Sequence, residues 1–186
     1  MRNLLSARAA SAGLSPELEK PGLLPPQLEE SGQAAAGAPE ASTRRPADVW
    51  VPAWGLHGAA AFELAVTSGM RSAVVAASAG DGAHAAQAYE ERKRTHLGTE
   101  TQCRREGLQF VPLVAEACGG GWGPASVRTW RALGALMAAR TGEAASVVTE
   151  HLHQALSVTL QRENARAVLR RLPEGLPDCP GTLDAP

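Results

Sequence analysis

Read along the chain, the apolar positions change period several times. Asp48–Pro52 (DVWVP) is short, β-branched and aromatic, and Ala61–Thr67 (AFELAVT) is an apolar run broken by one acid. Both predict strands, and Trp54–Gly58 between them is a Gly-bearing connection of hairpin size. Residues 70–97 predict helix with a weaker centre at Gly80–Gly82, and the half from His84 to Leu97 ends in the charged run EERKR. Leu108–Ala115 (LQFVPLVA) predicts a third strand. Pro112 has no N–H for a ladder, so that strand belongs at an edge or carries a bulge. Val127, Trp130, Leu133, Met137 and Ala138 recur at helical spacing, and Gly142 stops the helix. Glu143–Leu172 reads as one long helix. Strand, strand, helix, strand, helix, helix is the order of an α/β domain.

Proline marks the boundaries of that domain. Seven of the 13 prolines lie at or before Pro52 and four at or after Pro173. Residues 1–20 predict an N-terminal helical segment, with Arg2–Gly13 closed by Gly13 as a C-cap. Residues 21–43 form a Pro/Gly/Ala-rich linker, 44–172 the core, and 173–186 a disordered tail. Up to Glu17 the N-terminus carries Arg2, Arg8, several Ser and Ala and no acid, which is also transit-peptide chemistry. The Gly-Leu-Ser-Pro that follows fits an ordinary helix exit better.

Charge changes the picture once it is divided by position. The whole chain of 186 residues has a formal net charge of -1, but residues 44–172 hold 15 bases against 11 acids, a net of +4. Acidic flanks mask a mildly basic core, and such a core can meet a phosphate backbone. No apolar run approaches the roughly 18–20 residues that span a bilayer, so no membrane partner is expected. Cys103, Cys118 and Cys179 have no paired metal spacing and leave an odd thiol, which fits a reducing compartment, nuclear or cytoplasmic. Aromatics make up only 4% of the chain, too few for a broad base-stacking surface.

Candidate chemistry gathers in one constellation. Arg45-Pro46-Ala47-Asp48 is followed after 14 residues by Glu63. Two acids at the ends of adjacent strands can share one divalent cation, and Mg²⁺ is satisfied by one or two carboxylates plus waters and phosphate oxygens. A carboxylate inside AFELAVT is costly to desolvate unless a cation or donor compensates it. On the following helix Tyr89 and Lys93 are four apart and share a face. A lysine beside two metal-binding carboxylates can stabilise a reacting phosphate. The plainer reading makes Glu63 a solvent-facing strand residue, Asp48 a turn cap and EERKR a solvated helix face. The five histidines show no metal-ligand spacing, and Gly119–Gly121 is not followed by the Lys-Ser/Thr of a P-loop.

The blocks RRPADVWVP, AFELAVTSGMR, AYEERKRTHL and LQFVPLVAEACGGGWG together resemble the restriction-like endonuclease domain at the C-terminal end of non-LTR retrotransposon polyproteins, a branch of the PD-(D/E)XK nucleases. That pattern is a basic residue, Pro and Asp, an acid on the next strand, a lysine and aromatic on the following helix, an F-x-P-x-V-x-E strand and a Trp-containing helix. The resemblance spans roughly residues 1–172. It implies a small mixed sheet flanked by helices, Asp48 and Glu63 as metal ligands, and Lys93 with Tyr89 as the helix-borne pair. It also aligns Glu17 or Glu19 with an acid that some members place near the first helix. Three departures stand out. Ala47 is inserted before Asp48, Glu63 replaces the usual Asp, and Ala65 and Thr67 stand where a (D/E)XK lysine is expected, so that Lys93 acts as its substitute. The zinc knuckle that precedes such domains is absent, and MRNLLSARAASAGL resembles the helix directly after it, as in a truncated copy.

The expected function is Mg²⁺-dependent nicking of DNA by a domain that once shared a polyprotein with a reverse transcriptase. A catalytically inactive remnant and an unrelated helical interaction module are the alternatives. Arg162, Arg166 and Arg170, four apart on the last helix, with Arg171 adjacent, predict weak, non-specific contact with DNA or RNA phosphates.

Overall fold

The computed structural model describes residues 1–24, 47–55, 58–118 and 121–171. Helix α1 (Arg2–Ser11) leads into the two-residue strand β1 (Glu17–Leu18), then β2 (Val49–Val51) and β3 (Ala59–Thr67). These three strands pair antiparallel in turn. Three helices follow: α2 (Val75–Ser78), α3 (His84–Thr95) and, after a 3₁₀ turn, α4 (Thr99–Arg105). They form the crossover that returns the chain to lay β4 (Leu108–Glu116) parallel to β3, from Ala59 opposite Leu108 to Thr67 opposite Glu116. Helices α5 (Pro124–Thr141) and α6 (Ala145–Leu169) complete a mixed α/β architecture with strand order β1-β2-β3-β4 and a long C-terminal helix.

Strand alternation distributes the core between two faces. Val49, Val51, Ala60, Phe62, Val111 and Leu113 pack under α1, α5 and α6 with Leu5, Trp130, Leu133, Leu152 and Leu156. Ala61 and Phe110 face the other way, toward Cys103 of α4, and share a second cluster with Ala47 and Leu24. Helix α3 also packs against β3 and β4. Gly134 of α5 lets α6 approach closely, because a Cβ there would collide with Thr149.

β4 is an edge strand, one of the two positions that Pro112 allows. Above the proline its outer side is covered. Ser126 Oγ accepts the Val114 N–H at 2.8 Å, and the Gly123 N–H donates to the Val114 carbonyl at 2.9 Å. At its C-terminal end Glu116 accepts the Gly69 and Cys118 N–H groups, tying together the loops that leave β3 and β4.

Several expectations are corrected. The helix expected over 70–97 is divided into α2 and α3, and it does not end the crossover. Leu97 and Gly98 take left-handed φ of +52° and +63°, a sharp reversal that starts the unforeseen α4. Strand β1 was not visible in the pattern because two residues carry no periodicity. The stretch from residue 21 was expected to be linker, yet Leu24 is 1% exposed and sealed into the second cluster. The remainder of that linker, Arg45 and Pro46, His57, Gly119 and Gly120, and the expected tail lie outside the described residues. No helix among the described residues is long and apolar enough to cross a membrane.

Candidate active site

The site grows from the point where β2 leaves β3. The ladder runs from Val51 opposite Ala60 to Val49 opposite Phe62. Beyond it the Asp48 N–H still donates to the Phe62 carbonyl at 2.9 Å, and the Asp48 side chain then takes over from the backbone. Its Oδ2 accepts the Leu64 N–H at 2.7 Å. That bond holds the Asp48 carboxylate against the Glu63–Leu64 peptide, beside the second acid.

Glu63 alternates with Ala61 and so lies on the face that α3 covers. Lys93 of α3 reaches down to it, with Nζ 2.6 Å from Glu63 Oε1. The two side chains are 25% and 27% exposed, a half-buried pair open to solvent on one side. Ala65, next on the same face of β3, offers only a methyl where the resemblance expects lysine. The ammonium arrives from the helix instead, 30 residues along the chain from the acid it meets. Lys93 therefore meets Glu63 directly, and Asp48 is bonded to the next residue of the same strand. Comparison with known protein families, curated proteins and solved structures found no match.

Tyr89 lies one turn before Lys93. Its ring centroid is 4.4 Å from the Arg92 guanidinium carbon and 5.8 Å from Lys93 Nζ, so it supports the cationic end of α3 through its π face. The acids expected near α1 go elsewhere. Glu17 pairs with Lys20 at 3.0 Å, while Glu19 has a left-handed φ of +47° and its carboxylate pairs with Arg2 of α1.

Asp48 and Glu63 offer hard oxygen donors that suit a divalent cation, and each keeps one carboxylate oxygen beyond the hydrogen bond just described. Among the described residues no group of three or more His, Cys, Asp or Glu side chains could hold a metal ion. Any cation here would depend on two carboxylates, with waters and phosphate oxygens filling the remaining positions.

The long-helix stripe is less uniform than its spacing implied. Arg166 is bonded to Glu163 at 2.5 Å, Arg170 is the C-cap of α6, and Arg171 follows in a turn. Asn164 pins this end of α6 by donating to the Ala117 carbonyl at 2.7 Å.

Three participants escaped the sequence reading. Lys20 sits over the Trp50 ring with Nζ 3.4 Å from its centroid, and Trp50 shares the Ala61 face of the sheet. Nothing in the spacing of two residues across the linker signals that contact. The third is Glu90, read as part of a solvated run but only 4% exposed. Its carboxylate accepts the Ala125 N–H at 3.0 Å and both the N–H and Oγ of Ser126 at 3.2 Å. It caps α5, whose own N-cap is Gly123 and has no side chain to offer. A helix that opens Gly-Pro-Ala-Ser without a capping residue was the available signal.

Proposed function

We propose that this chain is a retroelement-derived, restriction-endonuclease-like domain that nicks one strand of DNA with the help of Mg²⁺. The observation that carries the reading is the meeting of Lys93 with Glu63 at 2.6 Å, beside a carboxylate of Asp48 fixed on the adjoining peptide. Its support also includes the sheet itself, which joins β2, β3 and β4 and leaves little room for a purely helical interaction module.

Asp48 and Glu63 would hold the cation, which when bound offsets their charge and polarises a phosphate oxygen. Asp48 is kept in place by the Leu64 N–H, so its carboxylate is held against β3 before a cation arrives. Lys93 holds Glu63 oriented in the absence of substrate. When a phosphodiester arrives, the ammonium has two further donors for its non-bridging oxygens. Arg92 adds to the positive field around that point, and Tyr89 steadies it through its π face.

A second reading is favoured by the small donor set: with one oxygen of each acid already engaged and no third metal-binding side chain grouped with them among the described residues, the domain is an inactive remnant that still binds nucleic acid. Supercoiled plasmid incubated with Mg²⁺ or Mn²⁺ separates the two. The active reading expects nicked circles, lost in Asp48→Ala and Glu63→Ala and strongly reduced in Lys93→Ala. Nicking that survives in both acid variants overturns it, and absence of nicking with either metal leaves the remnant.

A further inference from the structure

The geometry points to a cleft at the open end of β4 as the seat of a single nucleic-acid strand, bound through its phosphates by Arg94, Arg104 and Arg128. A cavity of 660 Å³ lies where the edge strand is uncovered, below Pro112, with Gln109 of β4 in its lining. The three arginines come from three different helices: Arg94 from the last turn of α3, Arg104 from α4 and Arg128 from α5. Trp54, in the β2–β3 connection, adds a half-buried indole to the wall.

The charges in this cleft are only partly consumed internally. Among the described residues Glu100 is the one acid in the lining, and it pairs with Arg104 at 3.6 Å. Arg94 and Arg128 have no acidic partner among the described residues, and Arg94 Nε is buried without a hydrogen-bond partner. A buried guanidinium N–H left unpaired is expensive unless an anion completes it. Both arginines also line a neighbouring cavity of 360 Å³ along α3 and α5, where Glu90 and Glu91 balance their charge, so the excess of positive charge belongs to the first cavity.

Concavity separates this place from the arginine stripe on α6. Field lines concentrate in a cleft with low-dielectric walls, whereas a convex helix surface disperses them. Of the stripe, Arg166 is already engaged by Glu163. Guanidinium forks suit phosphate oxygens, and an indole suits a base, which together describe a nucleotide strand better than a carboxylate-bearing peptide. A duplex is too wide to enter a cavity of 660 Å³. The choice of nucleic acid as occupant rests on the endonuclease reading, but the anionic character of the ligand follows from the cleft alone.

The test uses the full chain, a fluorescein-labelled oligothymidylate of about 15 nucleotides, and EDTA throughout, so that binding is measured apart from nicking. At low salt, anisotropy should report binding that weakens at least tenfold in Arg94→Gln/Arg128→Gln, with a salt slope smaller by about 1.4, as expected for two lost phosphate contacts. Arg162→Gln/Arg170→Gln should change affinity less than about twofold. Arg94 is partly buried, so Arg104→Gln, at a side chain 74% exposed, provides a folding-independent arm and should weaken binding about threefold. Three results overturn the proposal: no binding at low salt, equal losses from the α6 and cleft variants, or displacement of the oligonucleotide by poly-glutamate at equal charge concentration. Binding through the cleft without plasmid nicking sinks the active-enzyme reading and leaves the cleft. Nicking that is indifferent to the cleft variants, with no oligonucleotide binding, does the reverse.

Discussion

Glu90 and Ser126 are bound twice over: one carboxylate oxygen of Glu90 accepts both the backbone N–H and the hydroxyl of Ser126, each at 3.2 Å. Ser126 in turn bonds the outer edge of β4 through Val114. This chain of bonds joins α3, α5 and β4, and it fixes the rotation of α3 on which Lys93 depends. Helix dipole and capping geometry act in the same direction here, since a carboxylate at a helix N-terminus satisfies orphan N–H groups and faces the positive end.

Removing that carboxylate leaves buried donors with nothing to accept them. Glu90→Ala should therefore lower unfolding stability by about 3 kcal/mol. Glu90→Gln keeps one acceptor oxygen and should cost about half as much. Urea unfolding of the two variants checks the order. A loss below about 1 kcal/mol in Glu90→Ala would mean that water replaces the cap.

Lys93 and Glu63 form a half-buried pair, so the loss of one partner matters more than the loss of both. Lys93→Met should destabilise by about 1–2 kcal/mol, because the Glu63 carboxyl group loses its hydrogen-bond donor on a largely apolar face. Lys93→Met combined with Glu63→Leu should recover most of that loss. A double-mutant cycle by thermal or urea unfolding gives the coupling directly. Additive losses would show that the two groups do not interact in solution.

Gly134 opposes two effects of known size. In an exposed helix interior, Gly→Ala gains about 1 kcal/mol from backbone propensity. Here the new methyl would meet the Thr149 side chain and lie 3.1 Å from the Thr149 Cα. Overpacking against a helix backbone costs about 1–3 kcal/mol or more, so steric cost wins and Gly134→Ala should be net destabilising. Stabilisation in a urea melt would mean that α6 is free to shift outward.

His153 of α6 titrates below its ordinary value of 6.5, first because burial disfavours its charged form and second because Arg131 of α5 repels the added proton. With the folded pKa depressed, the unfolded chain takes up this proton first as pH falls. The His153 contribution is fully present above 6.5 and is lost as pH descends toward the folded pKa. His153→Gln should flatten the pH dependence of Tm between pH 7 and about 5.5. An unchanged pH profile would remove His153 as its source.

The sequence by itself determined the α/β class, the sites of β2, β3 and β4, and the two C-terminal helices with their break at Gly142. These follow from local causes: the period of apolar residues, β-branching in DVWVP and LQFVPLVA, and the φ of +77° that a glycine adopts at low cost. Pro112 narrowed β4 to an edge or a bulge, because a missing N–H is a property of one residue, and the strand order decided for the edge. The tertiary structure alone decided what the charged run after His84 does. EERKR has no periodicity that separates a solvated face from a buried one, yet packing sends its members in different directions. Glu90 is drawn under α5 by orphan N–H groups 35 and 36 residues away. Lys93 is drawn to Glu63 by the cost of a bare carboxylate on an apolar strand, and Arg94 faces the cleft with two arginines from other helices. Such meetings depend on how the crossover between β3 and β4 closes. That closure is set by the reversal at Leu97–Gly98 and by long-range packing, which no window of neighbouring residues contains.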